Sequence, residues 1–170
     1  MTTDIKRLVV YVVVILIQVI AGNHINLGPL VYICLLPILI VNLPLDQEPY
    51  FSILISFGLG LAVDILSDGV LGLNAGAAAL TSLVSKPLFY PIFQKNNYSK
   101  KYIPPIRESG ILPHINYMSV MLLVFFVFYI AFDGFTKTAF VTSILRLVVN
   151  VAVNLALILI LDFSFFNDKR

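Results

Sequence analysis

The chain has 170 residues, of which 59% are hydrophobic and only 12% charged, and its mean hydropathy is +0.97. Soluble domains carry roughly 45–50% apolar and about 25% charged residues, so the composition excludes an ordinary water-soluble globule and points to lipid as the solvent. A single cysteine, Cys34, excludes a disulfide within the chain and argues against a Cys-based metal site, and a net charge of +2 is too small to suggest nucleic acid.

A membrane helix needs about 20 mostly apolar residues, and polar and turn-forming residues divide this chain into six candidate spans. The first, 8–22, follows Lys6 and Arg7 and frays into Gly22-Asn23-His24. No small-residue cleavage site ends it cleanly, so it is expected to be a retained helix rather than a signal peptide. The second, 29–44, contains Pro37, an expected kink, and ends before the acidic stretch Asp46-Gln47-Glu48. Ser67-Asp68-Gly69 separates the third, 50–66, from the fourth, 71–93, where Pro87 is a second expected kink. The polar stretch 94–113 holds Lys95, Lys100, Lys101, Arg107 and the Pro104-Pro105 pair. The fifth span, 115–132, is aromatic, and the sixth, 138–161, follows Asp133-Gly134. The expected fold is all-α, a single integral membrane domain of six transmembrane helices.

Lys and Arg mark the cytoplasmic side of membrane proteins. With an inside N-terminus, the inside segments hold Lys6, Arg7, Lys95, Lys100, Lys101, Arg107, Lys169 and Arg170, against Lys137 alone outside. Both termini and the 94–113 loop are therefore expected in the cytoplasm.

Charge inside a bilayer is costly and marks a candidate functional position. Asp64, Lys86 and Arg146 qualify. Ser52, Ser56, Gly60 and Asp64 recur every fourth residue, as do Thr142, Arg146, Asn150 and Asn154, so each set forms one helix stripe expected to face the bundle interior. Asp64 and Arg146 fall at similar depths and are expected either to pair or to reach water at the outer interface by snorkelling. Lys86, about two turns from the cytoplasmic end of its span, is expected to snorkel. Gly72 and Gly76 form a small-xxx-small pattern that permits close helix packing, as an internal seam or a partner face.

Catalytic readings find little support. His24 and His114 lie at segment ends, away from any serine they might activate, and no HExxH or paired-Cys spacing occurs. An aspartyl site from Asp64 and Asp133 lacks the motifs that lipoprotein signal peptidases place around their aspartates, and Asp133 beside Gly134 suits a turn. A small-molecule carrier remains as the alternative: six short helices with polar stripes can enclose a substrate, as in the membrane-embedded binding subunits of energy-coupling-factor vitamin transporters. No enzyme activity, cofactor or metal is expected.

The stretch Gly58 to Leu80, GLGLAVDILSDGVLGLNAGAAAL, resembles the rod shape-determining protein MreD family. Its members typically carry a Gly, an Asp four residues later, a small or polar turn with Gly, and a Leu-Gly pair opening the next helix; here these are Gly60, Asp64, Ser67, Gly69, Leu71 and Gly72. Asn74 stands where many members have His. Length, six spans, the basic loop and the charged C-terminus agree in pattern along the chain. The resemblance implies a non-enzymatic component of the bacterial cell-elongation and peptidoglycan-synthesis machinery in the inner membrane. It implies an MreC-like bitopic partner and, through it, MreB, RodA and its transpeptidase, and a bundle like the vitamin-binding subunits. Candidate structural or partner residues are Gly60, Asp64, Gly69, Gly72, Asn74, Gly76, Arg146 and Asn150, with the Gly/Ala-rich fourth span and the aromatics Phe125, Phe126, Phe128, Tyr129 and Phe132 as faces for a partner or lipid. Read without the family, Asp64 lies beside the Ser67 turn, where it can accept hydrogen bonds from Ser67 or from backbone N–H groups of the returning helix.

Overall fold

An apolar segment can enter lipid only if its backbone N–H and C=O groups are bonded internally, and a helix does this within one segment. The computed structural model describes residues 3–24, 28, 30–67, 70–93, 103–104, 106–134 and 140–161, and among these it contains no β-strand. The helices are α1 (Thr3–His24), α2 (Leu36–Val41), α3 (Pro49–Leu66), α4 (Leu73–Phe93), α5 (Ile106–Ser109), α6 (Ile111–Gly134) and α7 (Phe140–Leu161). Pro49–Leu66, Ile111–Asp133 and Val141–Leu161 are long and apolar enough to cross a membrane, and Val9–His24 forms a shorter apolar helix. The chain is thus a helical membrane bundle.

Local chemistry sets the helix boundaries. Pro49 occupies the first turn of α3 behind an extended Glu48, where a missing N–H costs nothing and the fixed φ suits a helix start. Ser67 ends α3, with both its main-chain N–H and its hydroxyl donating to the Val63 carbonyl. Gly72 then takes φ +90, a left-handed conformation that side-chain-bearing residues avoid, and α4 starts at the next residue. Pro87 and Pro91 lie inside α4, which continues through both.

The second expected span departs from a membrane helix. Only Leu36–Val41 is helical, with Pro37 in its first turn, so this proline starts a helix rather than kinking one. Residues 31–35 before it have no regular secondary structure. This segment and α2 run antiparallel to α1: Gln18 bonds Ile33 and Leu35, and Tyr11, about two turns earlier in α1, donates to the Leu39 carbonyl. All six residues of α2 are buried.

The most extensive helix packing is between α3 and α4, followed by α4 with α6 and then α6 with α7. Tyr117, Met118, Met121, Leu122, Phe125 and Phe126 of α6 are fully buried and meet α2 at the centre of the core. Phe125 and Phe126 are therefore core residues rather than a partner or lipid face, whereas Phe132 at the end of α6 is 65% exposed. Exposed apolar side chains line α1 (Val12, Leu16, Ile20) and α7 (Ile144, Leu145, Val148). Lys86 donates through Nζ to the Gln47 carbonyl, so its ammonium is met by main chain.

Candidate functional site

The polar groups of the interior gather in two places. The first is where α3 ends and α4 returns. Ser52, Ser56, Gly60 and Asp64 are all buried, as their four-residue spacing predicts. A Cβ on Gly60 would lie 2.6 Å from both Ala75 Cα and the Asn74 carbonyl oxygen, so the first turn of α4 rests directly on the α3 backbone. One turn further on, Asp64 receives that same turn. Its Oδ2 accepts from the N–H groups of Gly72 (3.0 Å) and Ala75 (3.1 Å), and its Oδ1 accepts from the N–H (3.2 Å) and side-chain Nδ2 (2.9 Å) of Asn74. The first N–H groups of a helix have no partner within it and carry partial positive charge. A carboxylate from the preceding helix satisfies both needs. Of the two local roles expected for Asp64, the one through backbone N–H groups is present, whereas Ser67 bonds Val63 instead.

The glycines of the motif act differently from one another. Gly60 makes the close helix approach. Gly72 has open space where a Cβ would sit and contributes its positive φ. Gly76 faces α6, where a Cβ would lie 2.9 Å from Phe128 Cε1, so this position belongs to an internal seam. Gly69 lies outside the described residues.

The second gathering holds the segment before α2. Asn150 accepts from Tyr32 N–H (2.6 Å) and donates to the Leu30 carbonyl (2.8 Å); Asn154 accepts from Cys34 N–H (2.6 Å) and donates to the Tyr32 carbonyl (2.8 Å). On the other side, Gln18 of α1 donates to the Ile33 carbonyl (2.8 Å) and accepts from Leu35 N–H (2.6 Å). Alternate residues thus face α7 and α1, and carboxamides substitute for neighbouring strands. Main-chain groups outside a helix or sheet need other partners, and these three amides supply them. Asn150 and Asn154 fell on a stripe visible in the sequence. Gln18, Tyr32 and the backbone they serve did not; the available signal was a lone carboxamide in the middle of the apolar first span.

Comparison with protein-family models, with curated proteins and with solved structures finds no match to this chain. A functional reading therefore rests on the residues themselves.

Arg146 does not pair with Asp64. Its NH2 donates to Asp133 Oδ2 at 2.7 Å, with side-chain exposures of 15% and 32%. The reason is local: Asp64 already meets N–H donors on both oxygens, whereas Asp133, at the end of α6, lies beside the helix that carries Arg146. The two aspartates of the disfavoured aspartyl reading are each engaged with a different partner, Asp64 with the start of α4 and Asp133 with Arg146. Among the described residues no group of three or more His, Cys, Asp and Glu side chains is placed to hold a metal ion.

Proposed function

We propose that the chain is a non-enzymatic scaffold of the bacterial cell-elongation machinery, seated in the inner membrane and binding an MreC-like bitopic protein, through it MreB, RodA and its transpeptidase. The observation that carries this reading is the junction of Gly60, Asp64, Gly72 and Asn74. These residues of the MreD-like motif meet at one helix turn, and their polar groups engage one another. Such a junction holds two helices in fixed register, which is what a scaffold presenting helix faces to partners requires. It also accommodates Asn74 where many family members have His, since the side chain gives Asp64 one N–H, which an imidazole can also supply.

The same proposal includes six membrane passes with both termini in the cytoplasm. The second pass is then the non-helical segment followed by α2. Residues 31–34 at about 3.3 Å each, with Leu35 and the six residues of α2 at about 1.5 Å each, reach ~24 Å, close to the ~30 Å hydrocarbon core. An apolar run too short for a spanning helix can cross in this way.

Affinity purification of the tagged full-length chain from its native membrane tests the scaffold role. Co-purification of an MreC-like protein is expected, together with rounding of rod-shaped cells on depletion. Recovery of an ATPase-coupled module instead, with growth restored by a supplied nutrient, would identify a carrier subunit and reject the scaffold.

A further inference from the structure

Three hydroxyls on α3 and α4 are buried without a hydrogen bond. Ser52 and Ser56 of α3 and Ser82 of α4 are 4%, 0% and 4% exposed, and the Oγ of each has no partner among the described residues. Withdrawing a hydroxyl from water is costly unless another bond replaces the one lost. A serine inside a helix has a remedy at hand, because its Oγ can donate to a carbonyl three or four residues back. Nearby side chains use it: Thr81 donates to the Ala77 carbonyl (2.7 Å), Ser85 to that of Ser82 (2.7 Å) and Ser67 to that of Val63 (2.6 Å). Ser52, Ser56 and Ser82 do not, so their hydroxyls are left to whatever lies between the helices.

The three lie at one level of the interface. α3 and α4 run antiparallel: Gly60 rests on Asn74 and Ala75 toward one end, and at the other the carbonyl of Gln47, just before α3, takes the Lys86 ammonium. Counted outward from the Gly60–Asn74 contact, Ser56 is level with Ala78 and Ser52 with Ser82. Ser52 and Ser56 are one turn apart on the same stripe, with Cβ atoms about 5–6 Å from each other, and a single small molecule between them can meet both hydroxyls at ordinary hydrogen-bond lengths of about 2.8 Å.

The chemistry of the hydroxyls selects the occupant. Each offers one proton and two lone pairs. A metal cation would take lone pairs and leave the protons unbonded, and an anion would do the reverse; water donates and accepts at once. Exposure of 4% or less closes the level to larger molecules. Buried waters in proteins typically make about three hydrogen bonds to groups that otherwise have none, which is the number of hydroxyls gathered here. We propose that a water molecule is held inside the α3–α4 interface by Ser52, Ser56 and Ser82. The stripe then joins the two helices twice, through the Asp64 carboxylate and, from about two turns deeper, through this water. The inference goes beyond the scaffold reading and does not depend on it.

The test is water-edited solid-state NMR on the full-length chain in lipid nanodiscs, with the serine Cβ carbons labelled. Ser85, equally buried but bonded within α4, is the dry reference. Transfer from water protons to Ser52, Ser56 and Ser82 is expected to build up at least threefold faster than to Ser85. Ser82→Ala should slow transfer to Ser52 at least twofold although the two hydroxyls are not bonded to each other. Thr81→Val, which removes a hydroxyl satisfied by its own helix, should leave Ser52 and Ser56 unchanged. Build-up at the three serines no faster than at Ser85, a measurement that needs no variant, overturns the proposal, as does transfer to Ser52 that ignores Ser82→Ala or falls equally with Thr81→Val.

Discussion

Arg146 and Asp133 form an ion pair 2.7 Å long that links α7 to the end of α6. Thirteen residues separate them in sequence, so the pair fastens one helical hairpin at the end where its two helices are joined. Both side chains retain contact with their surroundings, at 15% and 32% exposure, and pairs of this kind contribute about 0.2–1 kcal/mol. A double-mutant cycle of Asp133→Ala and Arg146→Ala in detergent-solubilised protein should give a coupling in that range. The cycle of Asp64→Ala with Arg146→Ala should be additive within about 0.5 kcal/mol.

Gly60→Ala and Gly58→Ala should differ sharply although they lie two residues apart on one helix. The added methyl at 60 meets backbone of α4 at 2.6 Å, whereas at 58 it meets nothing within 4 Å. Backbone cannot rotate away as a side-chain tip can, and overpacking of this kind costs about 1–3 kcal/mol. Thermal unfolding followed by size-exclusion chromatography should show a lowered midpoint for Gly60→Ala and none for Gly58→Ala. Gly76→Ala should fall between them, because the atom it meets belongs to the Phe128 ring.

Asp64→Asn keeps the shape of the side chain but turns one acceptor into a donor. One of the oxygens now facing the N–H groups of Gly72, Asn74 or Ala75 becomes an NH2 pointing at another donor. A buried group left unsatisfied costs about 1–3 kcal/mol, so the yield of monodisperse protein should drop. Asp64→Glu, which retains both oxygens, should lose less in the same assay.

Cys34 makes the second polar gathering measurable. Its side chain is fully buried, and its N–H is bonded by Asn154. The thiol of the native protein should resist a membrane-permeant maleimide and react at once on denaturation. Asn154→Leu removes the partners of Cys34 N–H and the Tyr32 carbonyl. It should raise the labelling rate at least tenfold while leaving total helix content by circular dichroism nearly unchanged.

The α3–α4 turn was the most legible part of this molecule. The Ser52–Asp64 stripe and the Gly60, Asp64, Gly72 pattern lie within two adjacent helices, where a spacing of four residues translates directly into a face. Four of the helices, α3, α4, α6 and α7, overlap runs marked by apolar length and turn residues, although α6 starts at Ile111, inside the expected loop 94–113, rather than at 115. The second span was not legible for a physical reason: a short continuous apolar run looks alike whether it is helical or extended. What decides the matter is Gln18 before it and Asn150 and Asn154 at the far end of the chain, and their effect appears only once three segments are side by side. The Asp64–Arg146 pairing failed similarly. Depth alone made the two look like partners, but both Asp64 oxygens were taken within eleven residues of the aspartate itself.

The carboxamide clamp on residues 30–35 bears on how the protein is made. A nascent chain enters the membrane from its N-terminus, and the backbone groups of Leu30, Tyr32 and Cys34 arrive about 120 residues ahead of the asparagines that bond them. Each such group unbonded in hydrocarbon costs several kcal/mol. The segment therefore lacks these hydrogen-bond partners until α7 has been inserted. Insertion of α7 thus completes the hydrogen bonding of this segment.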